Sequence, residues 1–260
     1  MNTLSACIEG IGFWGDGLPG WQSARAFARG GPLAADAPAK PTPQLLAANE
    51  RRRAPASVAV ALDVALAACA DAGREPAALP SVFASTHGDL AITDYMCATL
   101  VDDPRAISPT KFHNSVHNAA AGYWTIGAGC VQPATAISAY QATFAQGLVE
   151  ALVQVATGSE AVLLVAYDTP STGPLGQVSR SEGLLGAALV LSSCERGGIR
   201  IRATLVDGEA RATGGRLAGH AAGNAMSPML PLFDALAHDA DLALLHAGPG
   251  RMLRLEFAHE

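Results

Sequence analysis

Apolar and polar positions along the chain mark out a series of helices and short buried strands. From Ala56 to Ala72, Val60, Leu62, Val64 and Leu66 lie in an alanine-rich background, which predicts a helix, and Gly73 supplies its stop. Ser81-Val82-Phe83-Ala84-Ser85 reads as a buried strand, and Thr86-His87-Gly88 as a turn at its carboxyl end. Helices are expected over Ala91 to Val101 and Asn114 to Ile126, the latter ended by Gly127-Ala128-Gly129. Thr135 to Ala139 is a short apolar strand. Ala142 to Ala156 carries Phe144, Leu148, Leu152 and Val155 at helical spacing and is followed by Gly158. Ala161 to Ala166 is apolar without alternation, as in a sheet covered on both faces. The strand–helix–strand unit over 135–166 therefore predicts two parallel strands. Gly183 to Leu191 and Ile199 to Val206 read as further strands, Met229 to Ala237 as a helix, and Leu242 to Leu245 with Met252 to Phe257 as a closing hairpin. Residues 1–54 and 208–228 are rich in glycine, proline and polar residues. The first of these mixes in short apolar pieces and has a loop from Pro32 to Pro43; the second is expected to be a loop.

Composition adds bounds to this α/β pattern. The 260 residues are 50% hydrophobic and 15% charged, enough for a sizeable core. A net charge of −6 argues against a nucleic-acid partner. The one basic run, Arg51-Arg52-Arg53, reads as a solvated helix entry, or more sharply as a dock for an acidic carrier or phosphate. Five cysteines stand singly at 7, 69, 97, 130 and 194, so neither a disulfide framework nor a zinc site is expected. Met1-Asn2-Thr3-Leu4 lacks the features of a signal peptide, and no apolar run reaches the length of a membrane span. The expectation is a cytoplasmic protein without a membrane span.

Gly10-Ile11-Gly12-Phe13-Trp14-Gly15 fits GxGxxG, but Asp16-Gly17-Leu18-Pro19-Gly20 breaks any following helix. The stretch is therefore expected to be a glycine-rich turn exposing Trp14 and Trp21, not a dinucleotide site. His113 and His117 lie four apart and can share a metal if one helix carries both, yet no third ligand is evident. Cys130 precedes a proline-containing turn with no base near it in sequence. Gln141 stands at a strand-to-helix corner. Unpaired backbone amides at that helix start favour an anion or a carbonyl oxygen, or the residue is only a polar helix start.

Phe112-His113-Asn114-Ser115-Val116-His117-Asn118, then Ala121-Gly122, then Gln132 to Gln141 resemble the β-ketoacyl synthases of the thiolase fold. In that family the catalytic cysteine lies eight residues after a proline, ahead of the same helix and strand. Eight residues after Pro133 is Gln141. Gly183 to Leu191 is similar to the family's Gly-Ala-Leu-Val-Leu strand. The resemblance covers roughly residues 1–206 and is nearest to the short synthase-like proteins called chain length factors, of aryl polyene and related type II polyketide pathways.

The resemblance implies a thiolase-like α/β fold with mostly the amino-terminal half and a truncated carboxy-terminal half. Residues 1–206 would be its core, and 207–260 a short extension completing the same domain. With glutamine at the nucleophile position, no acyl-enzyme should form there. His220, His238 and His246 stand in no context matching the family's two catalytic histidines. The implied role is a non-catalytic partner of an active β-ketoacyl synthase, without a cofactor, in a heterodimer that also meets an acyl carrier protein. Pro133, Thr135, Ile137 and Ala139 would form the interface strand, and Tyr140, Phe144 and His117 would close the partner's acyl tunnel. Two alternatives remain open: a malonyl-carrier decarboxylase or degenerate acyltransferase, and a carrier-binding module.

Overall fold

Residues Thr3–Trp14 form the strand around which the sheet is built. The computed structural model describes residues 3–210 and 214–258. In chain order the strands are β1 (Thr3–Trp14), β2 (Ser81–Ala84), β3 (Ala134–Ile137), β4 (Ala161–Asp168), β5 (Leu185–Ser192), β6 (Ile199–Asp207), β7 (Leu242–Gly248) and β8 (Arg251–Ala258). The helices are α1 (Trp21–Ala28), α2 (Ala48–Arg53), α3 (Ala56–Ala72), α4 (Leu90–Asp102), α5 (Pro109–Asn114), α6 (Ala119–Gly127), α7 (Thr143–Ala156), α8 (Gly173–Val178), α9 (Arg216–His220) and α10 (Leu230–Ala237). All eight strands join one sheet in the order β3-β2-β4-β5-β1-β6-β8-β7.

β2 runs parallel to both β3 and β4, so β3 and β4 are parallel as predicted, with β2 between them. The remaining pairings, β4 to β7, are antiparallel. Two cores cover the sheet. α1, α7 and α10 pack on one face through Phe27, Phe144, Leu148 and Phe233; α3 and α6 pack on the other through Val60, Leu62, Val64 and Trp124. β4 and β5 are buried at every residue, whereas β6, β7 and β8 alternate and leave one face to water.

The amino-terminal stretch departs from its predicted turn. Gly10 and Gly12 lie inside β1, and Trp14 is only 4% exposed. A Cβ at Gly10 would stand 2.3 Å from the Ala68 carbonyl oxygen, and one at Gly12 2.0 Å from that of Val64. The glycines therefore let α3 lie directly on the strand backbone, and no phosphate loop forms. The alternating glycines that read as a turn are a packing groove.

The helix expected over Asn114 to Ile126 is two. α5 ends at Asn114 and α6 starts at Ala119, because Ser115 turns its hydroxyl back to the Phe112 carbonyl at 2.8 Å. Cysteine pairing also differs from expectation: Cys7 and Cys194 form a disulfide across 187 residues of sequence. β1 and β5 are neighbours in the sheet, with Cys7 opposite Ser192, which brings the two thiols together. The expected loop at 208–228 contains α9, while its residues 211–213 lie outside the described ones.

Candidate functional site

β3 ends at the corner that carries Gln141. Ser138 anchors the corner by donating its hydroxyl to the Thr86 carbonyl at 3.0 Å. Thr143, 1% exposed, accepts the Ala139 N–H on Oγ1 at 2.9 Å and donates the same hydroxyl to the Tyr140 carbonyl at 2.6 Å. That clasp holds Tyr140 at φ 53, a left-handed conformation unusual for a non-glycine residue. Gln141 follows on a single turn of 3-10 helix that leads into α7, and its side chain is exposed. It lines a cleft of about 200 Å³ with Thr86, Tyr140, Ser179, Arg180 and Asn224.

No thiol supplies a nucleophile at this corner. The Cys130 sulfur is buried against the Leu79 carbonyl at 3.5 Å. Burial pushes the Cys69 thiol up to about 12, with the Glu75 charge adding to it, so this cysteine is inert. Cys97 is exposed on α4 and does not line the cleft.

A polar network that the sequence did not disclose lies beneath the cleft. Asp168, at the end of β4 and 0% exposed, accepts the Ser85 hydroxyl at 2.8 Å and the N–H groups of Thr86 and His87 at 3.1 and 3.3 Å. Burial pushes its carboxyl above the usual aspartate range, although these donors and the neighbouring His87 ring act the other way. Asn224 donates its amide to the carbonyls of Asp168, Glu182 and Gly183. The available sequence signals were the Thr86-His87-Gly88 turn and an aspartate closing an apolar strand.

The predicted site residues fall into separate places. His117 is bonded through Nε2 to the Ser85 carbonyl at 2.8 Å, while His113 stands edge-on to Tyr123, so the two do not share a metal. Among the described residues no cluster of three or more histidine, cysteine or acidic side chains could hold a metal ion. Pro133 and Ile137 spend their carbonyls on the Ser81 and Ser85 N–H groups. In a parallel ladder Thr135 faces β2 likewise, so Ala134 and Ala136 direct their backbone groups to the open edge of β3. Ala139 and Tyr140 belong to the corner. Phe144 is 2% exposed and packs on Phe233 in the core at 6.2 Å between ring centroids.

In the basic run, Arg51 bonds to Gln44 and the Leu46 carbonyl, Arg52 bonds to Asn49, and Arg53 rims a cavity of about 530 Å³ beside Lys111. His220 and His238 are bonded to the Asp16 and Asp234 carbonyls. Neither they nor His246 line the cleft at Gln141. No described helix is long and apolar enough to cross a membrane.

A family model described as the β-ketoacyl synthase, N-terminal domain, matches residues 21–246. No curated protein matches the sequence. Among solved structures, the ketosynthase ApeO in complex with its chain length factor ApeC from Xenorhabdus doucetiae is similar at 21% identity, over 98% of this chain and 97% of that one, with a TM-score of 0.71. The ishigamide ketosynthase/chain length factor is similar at 14% identity over 98% and 99%, with a TM-score of 0.71. A type II polyketide synthase acyl-carrier protein in complex with its ketosynthase bound to the hexaketide (AntDE:AntF) gives 11% identity over 100% of both chains and a TM-score of 0.74. At these identities the likeness concerns the fold, which is the thiolase-like fold of the ketosynthases.

Proposed function

We propose, from the premise that this chain belongs to the β-ketoacyl synthase N-terminal domain family, that it is a ketosynthase-like subunit with no condensing centre of its own, paired with an active ketosynthase. The observation that carries this reading is Gln141. It occupies the strand-to-helix corner where the family resemblance puts the nucleophile, and an amide cannot form an acyl-enzyme. The similar structures include ketosynthase and chain length factor complexes, and the same arrangement is proposed for this chain.

The open edge of β3 is the proposed contact. Ala134 and Ala136 present unpaired backbone groups there, as an added strand requires. Val131 at 93% exposure and Ile126 at 79% precede that strand in sequence, and apolar surface of this kind fits a partner better than water. Tyr140, 58% exposed at the corner, and His117 beside β2 would bound the partner's acyl tunnel. Phe144 would act from behind, through the core. The product class is proposed to be a polyketide of the aryl polyene kind, delivered on an acyl carrier protein.

Co-expression with a cognate ketosynthase, followed by native mass measurement, tests the reading. A one-to-one complex is expected. A chain that stays monomeric or self-associates in the presence of the ketosynthase overturns it.

A further inference from the structure

The cleft beside Gln141 carries Ser179 on its wall, with His87 and Asp168 behind it, and the pairing role does not use this set of groups. Ser179 Oγ lies 2.6 Å from His87 Nε2. The other ring nitrogen of His87, Nδ1, is buried without a hydrogen-bond partner and lies 4.0 Å from Asp168 Oδ1. With the proton on Nδ1, Nε2 accepts the Ser179 hydroxyl and Nδ1–H faces the Asp168 carboxylate across 4.0 Å, a charge contact rather than a hydrogen bond. Three segments distant in sequence supply these residues: the turn after β2, the end of β4, and the residue after α8.

Ser179 is fixed in place. Its N–H donates to the Leu175 carbonyl at 3.0 Å. The loop that carries it is closed at its base, where Ser171 and Ser181 exchange hydrogen bonds and the Ser181 hydroxyl, 3% exposed overall, accepts the Ala225 N–H. Ser179 itself is half-buried and lines the cleft, so its hydroxyl can meet a ligand there. The Gln141 side chain lines the same cleft and offers an amide donor for a carbonyl oxygen.

We propose that Ser179, with His87 as base and Asp168 as positioning residue, hydrolyses small acyl thioesters in this cleft. The cleft volume of about 200 Å³ suits a short acyl group. Ser179 Oγ bonds to the thioester carbonyl carbon while its proton passes to His87 Nε2. The carbon–sulfur bond then breaks and the leaving thiolate takes that proton. Water attacks the acyl-serine and gives a proton to His87, which returns it to Ser179 Oγ as the carboxylic acid leaves. The balance is one thioester and one water in, one acid and one thiol out. The activity is independent of any ketosynthase partner.

The isolated full chain is treated with a tagged fluorophosphonate, and separately with the acetyl thioester of N-acetylcysteamine. One equivalent of label on Ser179 is expected. Ser179→Ala should abolish labelling and reduce thioester turnover by about 10³-fold or more. Asp168→Asn should lower kcat with KM unchanged, as loss of a positioning group does. Because Asp168 is fully buried and Ser179 only half-buried, the decisive variant is Ser179→Ala, with its circular dichroism compared with wild type. No labelling of the wild type, label on another residue, or thioester turnover unchanged in Ser179→Ala overturns the proposal.

Discussion

The backbone of Gly12 lies so close to Val64 that a methyl group on its Cα would stand 2.0 Å from the Val64 carbonyl oxygen. Neither partner is the tip of a flexible side chain, so nothing can swing aside. Gly12→Ala should therefore separate α3 from β1 and cost about 3 kcal/mol of stability. Urea unfolding of the purified chain reads this directly. An unchanged midpoint would mean that the helix is free to slide on the strand.

Glu9 and Arg74 form a mostly buried pair at 2.7 Å between Nε and Oε2, and Arg74 also reaches Glu160. Burial alone would raise the Glu9 carboxyl, but hydrogen bonds from Arg74 and Ser192 and the charges of Arg74 and Arg196 outweigh it and hold it below the usual 4.5. A carboxyl lowered on folding stabilises above its unfolded value and ceases to do so as pH falls through its folded value. Glu9→Gln should thus cost about 2 kcal/mol at pH 7, and the difference from wild type should shrink as pH drops below 4.5. Equal destabilisation at pH 3 and pH 7 would assign the effect to packing.

Proline substitution distinguishes the two sides of β3. Ala136→Pro removes an N–H that points to the open edge, so the monomer should keep its fold and lose the ketosynthase in co-purification. Thr135→Pro removes an N–H that faces β2 and should cost about 3 kcal/mol in the monomer itself. Melting curves and native mass spectra of both variants measure the contrast. Retained pairing in Ala136→Pro would move the interface away from this edge.

Tyr140 and Phe144 are separated by burial rather than by sequence. Phe144→Ala opens the core against Phe233 and should cost about 3–5 kcal/mol. Tyr140 is mostly exposed and sits at φ 53, so Tyr140→Gly removes strain and should raise stability by about 0.5 kcal/mol. In the proposed complex, Tyr140→Ala is the better probe of product length, with longer products expected by mass spectrometry. An unchanged product ladder with an intact complex would remove Tyr140 from the tunnel.

Periodicity disclosed the elements whose packing is uniform. α3, α7 and β4 have apolar patterns that fit one environment from end to end, and the hairpin at β7 and β8 alternates as a half-solvated ribbon should. β1 was hidden because glycine carries no hydrophobic signal where a helix replaces the side chain. The break between α5 and α6 depends on the Ser115 hydroxyl competing with the backbone, which spacing does not reveal. Gln141 was legible as a corner residue because strand, turn and helix follow one another locally. The contacts of Asp168 with Ser85 and of His87 with Ser179 join residues 83 and 92 positions apart, and the Cys7–Cys194 pair spans 187. Such contacts depend on the order of strands in the sheet.

That order also has a consequence for synthesis. β1 is made first, yet its two neighbours are β5 and β6, which end at residues 192 and 207. At a translation rate of about 5–20 residues per second, the strand waits roughly 10–40 seconds for them. Throughout that interval both of its edges are open and its apolar side chains lack their final cover. The nascent chain should therefore depend on chaperones during elongation, and a circular permutant that begins at β2 and places β1 after β8 would remove the wait of β1, whose neighbours β5 and β6 would already be made.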